Sequence, residues 1–151
     1  MRTRAGIILI ENKKVALIER HRGGLDYFVL PGGGVDEGET IEIAAIREAM
    51  EELGIEVALK QKMAVIHFEQ SVQHYFLAER VSGEFGTGTG EEYTDADPGD
   101  PSEGIYIPVW MPISELPQHE KVFPAEVVKL VLKAQTDGWP KEPIVFVEKA
   151  K

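Results

Sequence analysis

PGGGVDEGETIEIAAIREAMEELGI, Pro31 to Ile55, is the stretch from which the fold is read. Three consecutive glycines lead into a segment with seven acids and one base. At about 100° per residue, Ile43, Ile46, Ala49, Met50 and Leu53 fall within one arc of about 120°, wide enough for a core-facing stripe. The pattern predicts a helix from Thr40 to Leu53, with Thr40 as N-cap and Gly54 as the C-terminal glycine. On the same projection Glu48, Glu51 and Glu52 span about 100° and lie nearly opposite that stripe.

Three carboxylates on one helix face have two readings. One is a solvated face. The other is a cation site, because like charges at this spacing repel and only Arg47 is near enough to offset them. A hard divalent cation turns the repulsion into coordination. Magnesium takes oxygen ligands, while zinc is disfavoured by the lack of cysteine and by the absence of histidine from the segment. Gly32 to Gly34 likewise have two readings: a tight turn that exploits positive φ, or a backbone that comes close to a metal or phosphate and offers a carbonyl oxygen. Neither a phosphate-loop lysine motif nor the dinucleotide glycine spacing is present.

Working outward, Arg4 to Ile10 and Lys14 to Glu19 read as a hairpin, and Tyr27 to Leu30 as a short buried strand entering the glycines. Beyond the helix, Ile55 to Leu59, Met63 to Phe68, Gln73 to Val81 and Ile105 to Trp110 read as strands. Pro124 to Ala134 has helical spacing, and Ile144 to Val147 reads as a last edge strand. Gly83 to Gly104, with six glycines, seven acids and no base, reads as a flexible acidic loop. The order predicts an α/β fold, a mixed sheet with helices on its faces.

The 151 residues fit one domain, 1–151. The net charge of −10 is concentrated in the glycine-helix segment and the acidic loop, and no basic stripe follows a duplex, so a duplex nucleic acid is not an expected partner. No cysteine means no disulfide and no thiolate chemistry. The apolar run in MRTRAGIILIENKK is too short for a signal peptide or membrane span, so a cytoplasmic protein is expected.

Gly33, then Glu39, then Arg47-Glu48-Ala49-Met50-Glu51-Glu52-Leu53-Gly54-Ile55 resembles the Nudix box with every fixed position filled, over about one sixth of the chain. The resemblance implies a Nudix-type α/β/α sandwich of the MutT-like kind. It also implies hydrolysis of a nucleoside diphosphate linked to another moiety, assisted by Mg2+ or, as a substitute, Mn2+. Carried over by position, Glu48, Glu51 and Glu52 are metal ligands with the Gly32 carbonyl, Glu39 and Arg47 are the orienting pair, and Glu48 or Glu52 is the general base.

Arg20 and Arg22 are candidate contacts for substrate phosphates, and His21 reads as a surface residue. Glu91, Glu92 or Glu103 is a candidate extra metal ligand, and Tyr106 and Trp110 are candidate base-stacking residues, with Trp110 more in keeping with core. Markers that the family's ADP-ribose, dinucleoside polyphosphate and NADH hydrolases carry beyond the box are missing, which leans the reading towards a nucleoside triphosphate. The competing reading is a Nudix-fold module that senses a nucleotide without turnover. Either would be a monomer or homodimer.

Overall fold

A computed structural model describes residues 2–87 and 105–147. The elements are β1 (Arg2–Glu11), β2 (Lys14–Arg22), β3 (Leu25–Val29), β4 (Gly32–Gly34), α1 (Ile41–Leu53), β5 (Ile55–His67), β6 (Ser71–Gly83) and β7 (Ile105–Pro112). A 3-10 helix (Ile113–Gln118), β8 (Val122–Phe123), α2 (Ala125–Asp137) and β9 (Ile144–Val147) follow. Nearly all of the acidic loop, with Glu91, Glu92 and Glu103, lies outside the described residues.

Among the described residues the strands run β8-β3-β2-β1-β6-β5-β9, with β4 added against β1 and β7 against β2. β1 joins two half-sheets. It pairs with β2 only at Ile10↔Val15 and Glu11↔Lys14, while Arg2 to Leu9 run parallel to β6 and Arg4 to Gly6 also pair with β4. On the N-terminal side of Ile10 the two half-sheets part, and the opening between them becomes the cavity described below.

Strand alternation sends neighbouring side chains to opposite faces. Ile7 and Leu9 meet α1 residues Ala44, Ala45, Ala49 and Leu53, whereas Ile8 packs with Val127, Leu130 and Val131 of α2 on the other side. The result is the expected three layers, helix, mixed sheet and helix.

Two expectations are corrected. The strands placed at Ile55 to Leu59 and Met63 to Phe68 are one strand, β5, bent by register shifts at Glu56/Val57, Leu59/Gln61 and Lys62/Ala64. At the second of them Lys60 is left out of the ladder, while Gln61 and Lys62 pair with Leu77 and Phe76. The buried face of α1 also differs from the apolar stripe. Ile43 is 55% exposed and Met50 44%, whereas the alanines and Leu53 are buried together with Glu48 (7%) and Glu52 (4%). Small side chains let the helix axis approach the sheet, so close docking, not the largest apolar residues, selects the inward face.

The helix ends agree with the sequence. Thr40 Oγ1 accepts from the Ile43 N–H at 3.1 Å, and Gly54, at φ 78°, closes the last turn. No helix among the described residues is long and apolar enough to cross a membrane.

Candidate active site

The glycines owe their place to proximity rather than to a turn. Gly32 to Gly34 form β4, pairing with Gly6, Ala5 and Arg4 of β1, and none of the three has positive φ, which corrects the tight-turn reading. A Cβ on Gly33 would lie 2.4 Å from Glu48 Oε1, and one on Gly32 2.6 Å from the Ala5 carbonyl. The Gly32 N–H donates to Glu52 Oε1 at 2.7 Å. The glycine strand is thus pressed against the two inward carboxylates of α1.

Arg47 organises the rest of the box. Its Nε and Nη2 donate to the two carboxylate oxygens of Glu39 at 2.7 and 2.9 Å, and Nη2 also reaches the Gly34 carbonyl at 2.9 Å. Nη1 donates to Glu48 at 3.0 Å and Glu51 at 3.2 Å. Glu39 in turn accepts from the Asp36 N–H at 2.8 Å, which ties the loop back on itself. The Arg47 guanidinium, and then the Asp36 N–H, hold the Glu39 carboxyl down at about 2 from its ordinary 4.5, and the Glu39 bond raises Arg47 in return.

A cavity of about 720 Å³ opens between the half-sheets. Glu48 and Glu52 line it with the glycines, and Arg4, Arg20 and Arg22 line it as well. Glu51 is absent from that lining. It remains partly exposed and tied to Arg47. Arg22 is exposed at the rim, whereas Arg20 lies over the Tyr106 ring, its guanidinium carbon 3.8 Å from the centroid. Trp110, farther along β7, is outside the cavity lining and stacks on Phe85 at 4.6 Å. His21 is on the opposite side of β2, its ring nitrogens 2.5 Å from Glu19 and 2.6 Å from Asp26.

Four lining residues with polar side chains are not among the candidates read from sequence: Arg4, Gln73, Tyr75 and Glu126. Arg4 pairs with Gln73 across β1 and β6, and the buried Tyr75 hydroxyl donates to Gln73 Oε1 at 2.8 Å. Burial pushes the Tyr75 hydroxyl pKa up, so it stays a donor. The available sequence signal is weak, Gln73 and Tyr75 at period two in a strand that also carries His74, Glu79 and Arg80.

No group of three or more His, Cys, Asp or Glu side chains among the described residues is arranged to hold a metal ion by itself. The donor chemistry still fits magnesium. Two carboxylates converge on the cavity beside a glycine strand that a Cβ would obstruct, and this ion completes its octahedron with phosphate oxygens and water.

The NUDIX domain model matches residues 1–131. A Bacillus subtilis (strain 168) protein named as a putative 8-oxo-dGTP diphosphatase is 38% identical over 80 residues, 52% of each chain. An RNA pyrophosphohydrolase of a Wolbachia endosymbiont of Drosophila simulans is 37% identical over 76 residues, 50% of this chain and 44% of that one. The chain thus spans about half the length of the curated relatives it matches. Among solved structures, a NUDIX hydrolase from Nitrosomonas europaea superposes with a TM-score of 0.74 at 21% identity, covering 99% of this chain and 79% of that one, a likeness of fold.

Proposed function

The chain belongs to the NUDIX family, and on that premise we propose that it is a magnesium-dependent hydrolase of the pyrophosphate linkage in a nucleoside diphosphate linked to another moiety, with a nucleoside triphosphate as the leading substrate class. The observation that carries the reading is the pair of buried carboxylates, Glu48 and Glu52, at a cavity that three arginines also line, Arg4 beside the glycine strand and Arg20 and Arg22 from β2. Such a division of charge suits a ligand that is itself polyanionic and arrives with cations. The Bacillus relative is named for a nucleoside triphosphate, 8-oxo-dGTP, and the Wolbachia relative for pyrophosphate hydrolysis on RNA.

In this reading Glu48, Glu52 and the Gly32 carbonyl would hold the metal, with Glu51, which lies outside the cavity lining, as a further ligand. When bound, the ion neutralises and polarises phosphoryl oxygens and acidifies a bound water. Arg47 and Glu39 brace the loop that fixes these groups. Glu52 is our choice of general base over Glu48, because Glu48 is held by the Arg47 cation while Glu52 Oε1 accepts from a neutral backbone N–H. A cationic partner stabilises the carboxylate and makes it a weaker proton acceptor. Arg20 and Arg22 serve the phosphates on the opposite wall.

The test is phosphate and pyrophosphate release from a panel of nucleoside triphosphates, ADP-ribose, dinucleoside polyphosphates, sugar nucleotides and 5′-triphosphate RNA, with and without magnesium. Metal-dependent release from a triphosphate is expected. Tight binding of a panel member with no release would replace the hydrolase by the sensing module.

A further inference from the structure

We propose that Arg20 is a preset two-pronged subsite for a single phosphoryl group, and that Tyr106, on the neighbouring strand, is the positioning residue that fixes it. The inference rests on the proposed function only for the molecule to which that phosphoryl belongs.

Arg20 of β2 lies in register with Tyr27 of β3 on one side and Tyr106 of β7 on the other. Cross-strand partners share a face, so the three side chains form a row, of which Arg20 and Tyr106 line the cavity. The guanidinium carbon is 3.8 Å from the Tyr106 centroid and 5.6 Å from that of Tyr27. Stacking on an aromatic face holds the plane of the cation without using its N–H groups.

Nε and Nη2 of Arg20 are buried and have no hydrogen-bond partner. These two nitrogens make one edge of the guanidinium, the edge whose parallel N–H bonds match two oxygens of one carboxylate or phosphoryl. Arg47 uses the same two atoms to grip Glu39. Buried donors on a permanent cation are costly to leave unmet, yet no Asp or Glu among the described residues forms an ion pair with Arg20. Helix α1 and the β2 ribbon therefore both contribute to one anion path. Glu48 and Glu52 approach it through metal, and Arg20 grips it directly from the facing wall.

The experiment is calorimetric titration of the full chain with inorganic pyrophosphate in magnesium, alongside kcat and KM for the nucleotide that is turned over best. Arg20→Lys keeps the charge and loses the flat fork, so binding should weaken about tenfold or more, with the loss in KM exceeding that in kcat. Tyr106→Leu removes the ring and should weaken binding by about tenfold, while Tyr106→Phe keeps the ring and should stay within about twofold of wild type. Thermal melts check that each variant folds. Wild-type binding by Arg20→Lys, or a Tyr106→Phe as poor as Tyr106→Leu, overturns the proposal. Arg20-dependent pyrophosphate binding with no nucleotide turnover would support the subsite and reject the hydrolase. Turnover with Arg20-independent binding would do the reverse.

Discussion

Arg47 and Arg20 stand on either side of the glycine strand and differ in what meets the same guanidinium edge. On the box side, Nε and Nη2 of Arg47 are filled by Glu39, and Nη1 by Glu48 and Glu51. On the facing wall, the corresponding atoms of Arg20 are buried without a partner and aromatic stacking does the holding. The box closes its own hydrogen bonds and so can fold as a rigid element. The opposite wall is organised but unsatisfied, which leaves a ligand something to gain. Scaffold and receptor are thus separated by one feature, whether the chain supplies its own anion.

The largest expected effect is on the box side. Glu52→Gln is nearly isosteric and keeps an acceptor for the Gly32 N–H, so the fold and Tm should hold while kcat falls about 10²-fold or more. Near wild-type turnover would remove Glu52 from the proton-transfer role. Next comes Gly33→Ala. Its Cβ would sit 2.4 Å from Glu48 Oε1 against a helix packed on alanines, so the new methyl should displace the carboxylate. A stability loss of about 1–3 kcal/mol is expected, with a larger fractional loss of kcat. A denaturant melt that matches wild type would mean the glycine strand has room to move.

Unequal legibility of the two sides has a physical cause. Helix α1 and its caps were readable because capping is local: Thr40 and Ile43 are three residues apart, and Gly54 closes the turn from within. Arg47 and Glu39 were readable only through the family resemblance, as they are eight residues apart across a loop. The inward face of α1 was misread because apolar size pointed to Ile43 and Met50, whereas close docking selected Ala44, Ala45 and Ala49 and carried Glu48 and Glu52 inward. Arg4, Gln73 and Glu126 escaped notice because they come from separate elements that converge only once β1 runs parallel to β6 and α2 docks. The charge of Arg20 is visible in the sequence; the tyrosines beside it depend on strand register.

A third prediction tests how far the box depends on the filled fork. Glu39 is held at about 2 against an ordinary 4.5, so its ionised form stabilises the fold above that ordinary value. The contribution is lost as pH falls from 4.5 towards about 2. Arg47→Lys supplies a point charge with no matching fork. The variant should have a lower Tm at neutral pH and a shallower fall of Tm over that acid window. An unchanged acid limb would show that other carboxylates dominate it.

The smallest effect lies behind Arg20, where His21 bridges Glu19 and Asp26. Asp26 first, and then Glu19, raise the imidazole above its ordinary 6.5, so its protonated form stabilises the β2–β3 ribbon. That contribution is complete below 6.5 and is lost as pH climbs through the raised value. Both partners are partly solvent-exposed, so screening keeps the gain small. His21→Asn should flatten a slight decline of Tm between about pH 6 and 9. KM should change little, since His21 points away from the cavity that Arg20 faces. A clear rise in KM would tie the two faces of β2 together and make the ribbon's outer charge cluster part of how the Arg20 fork is held.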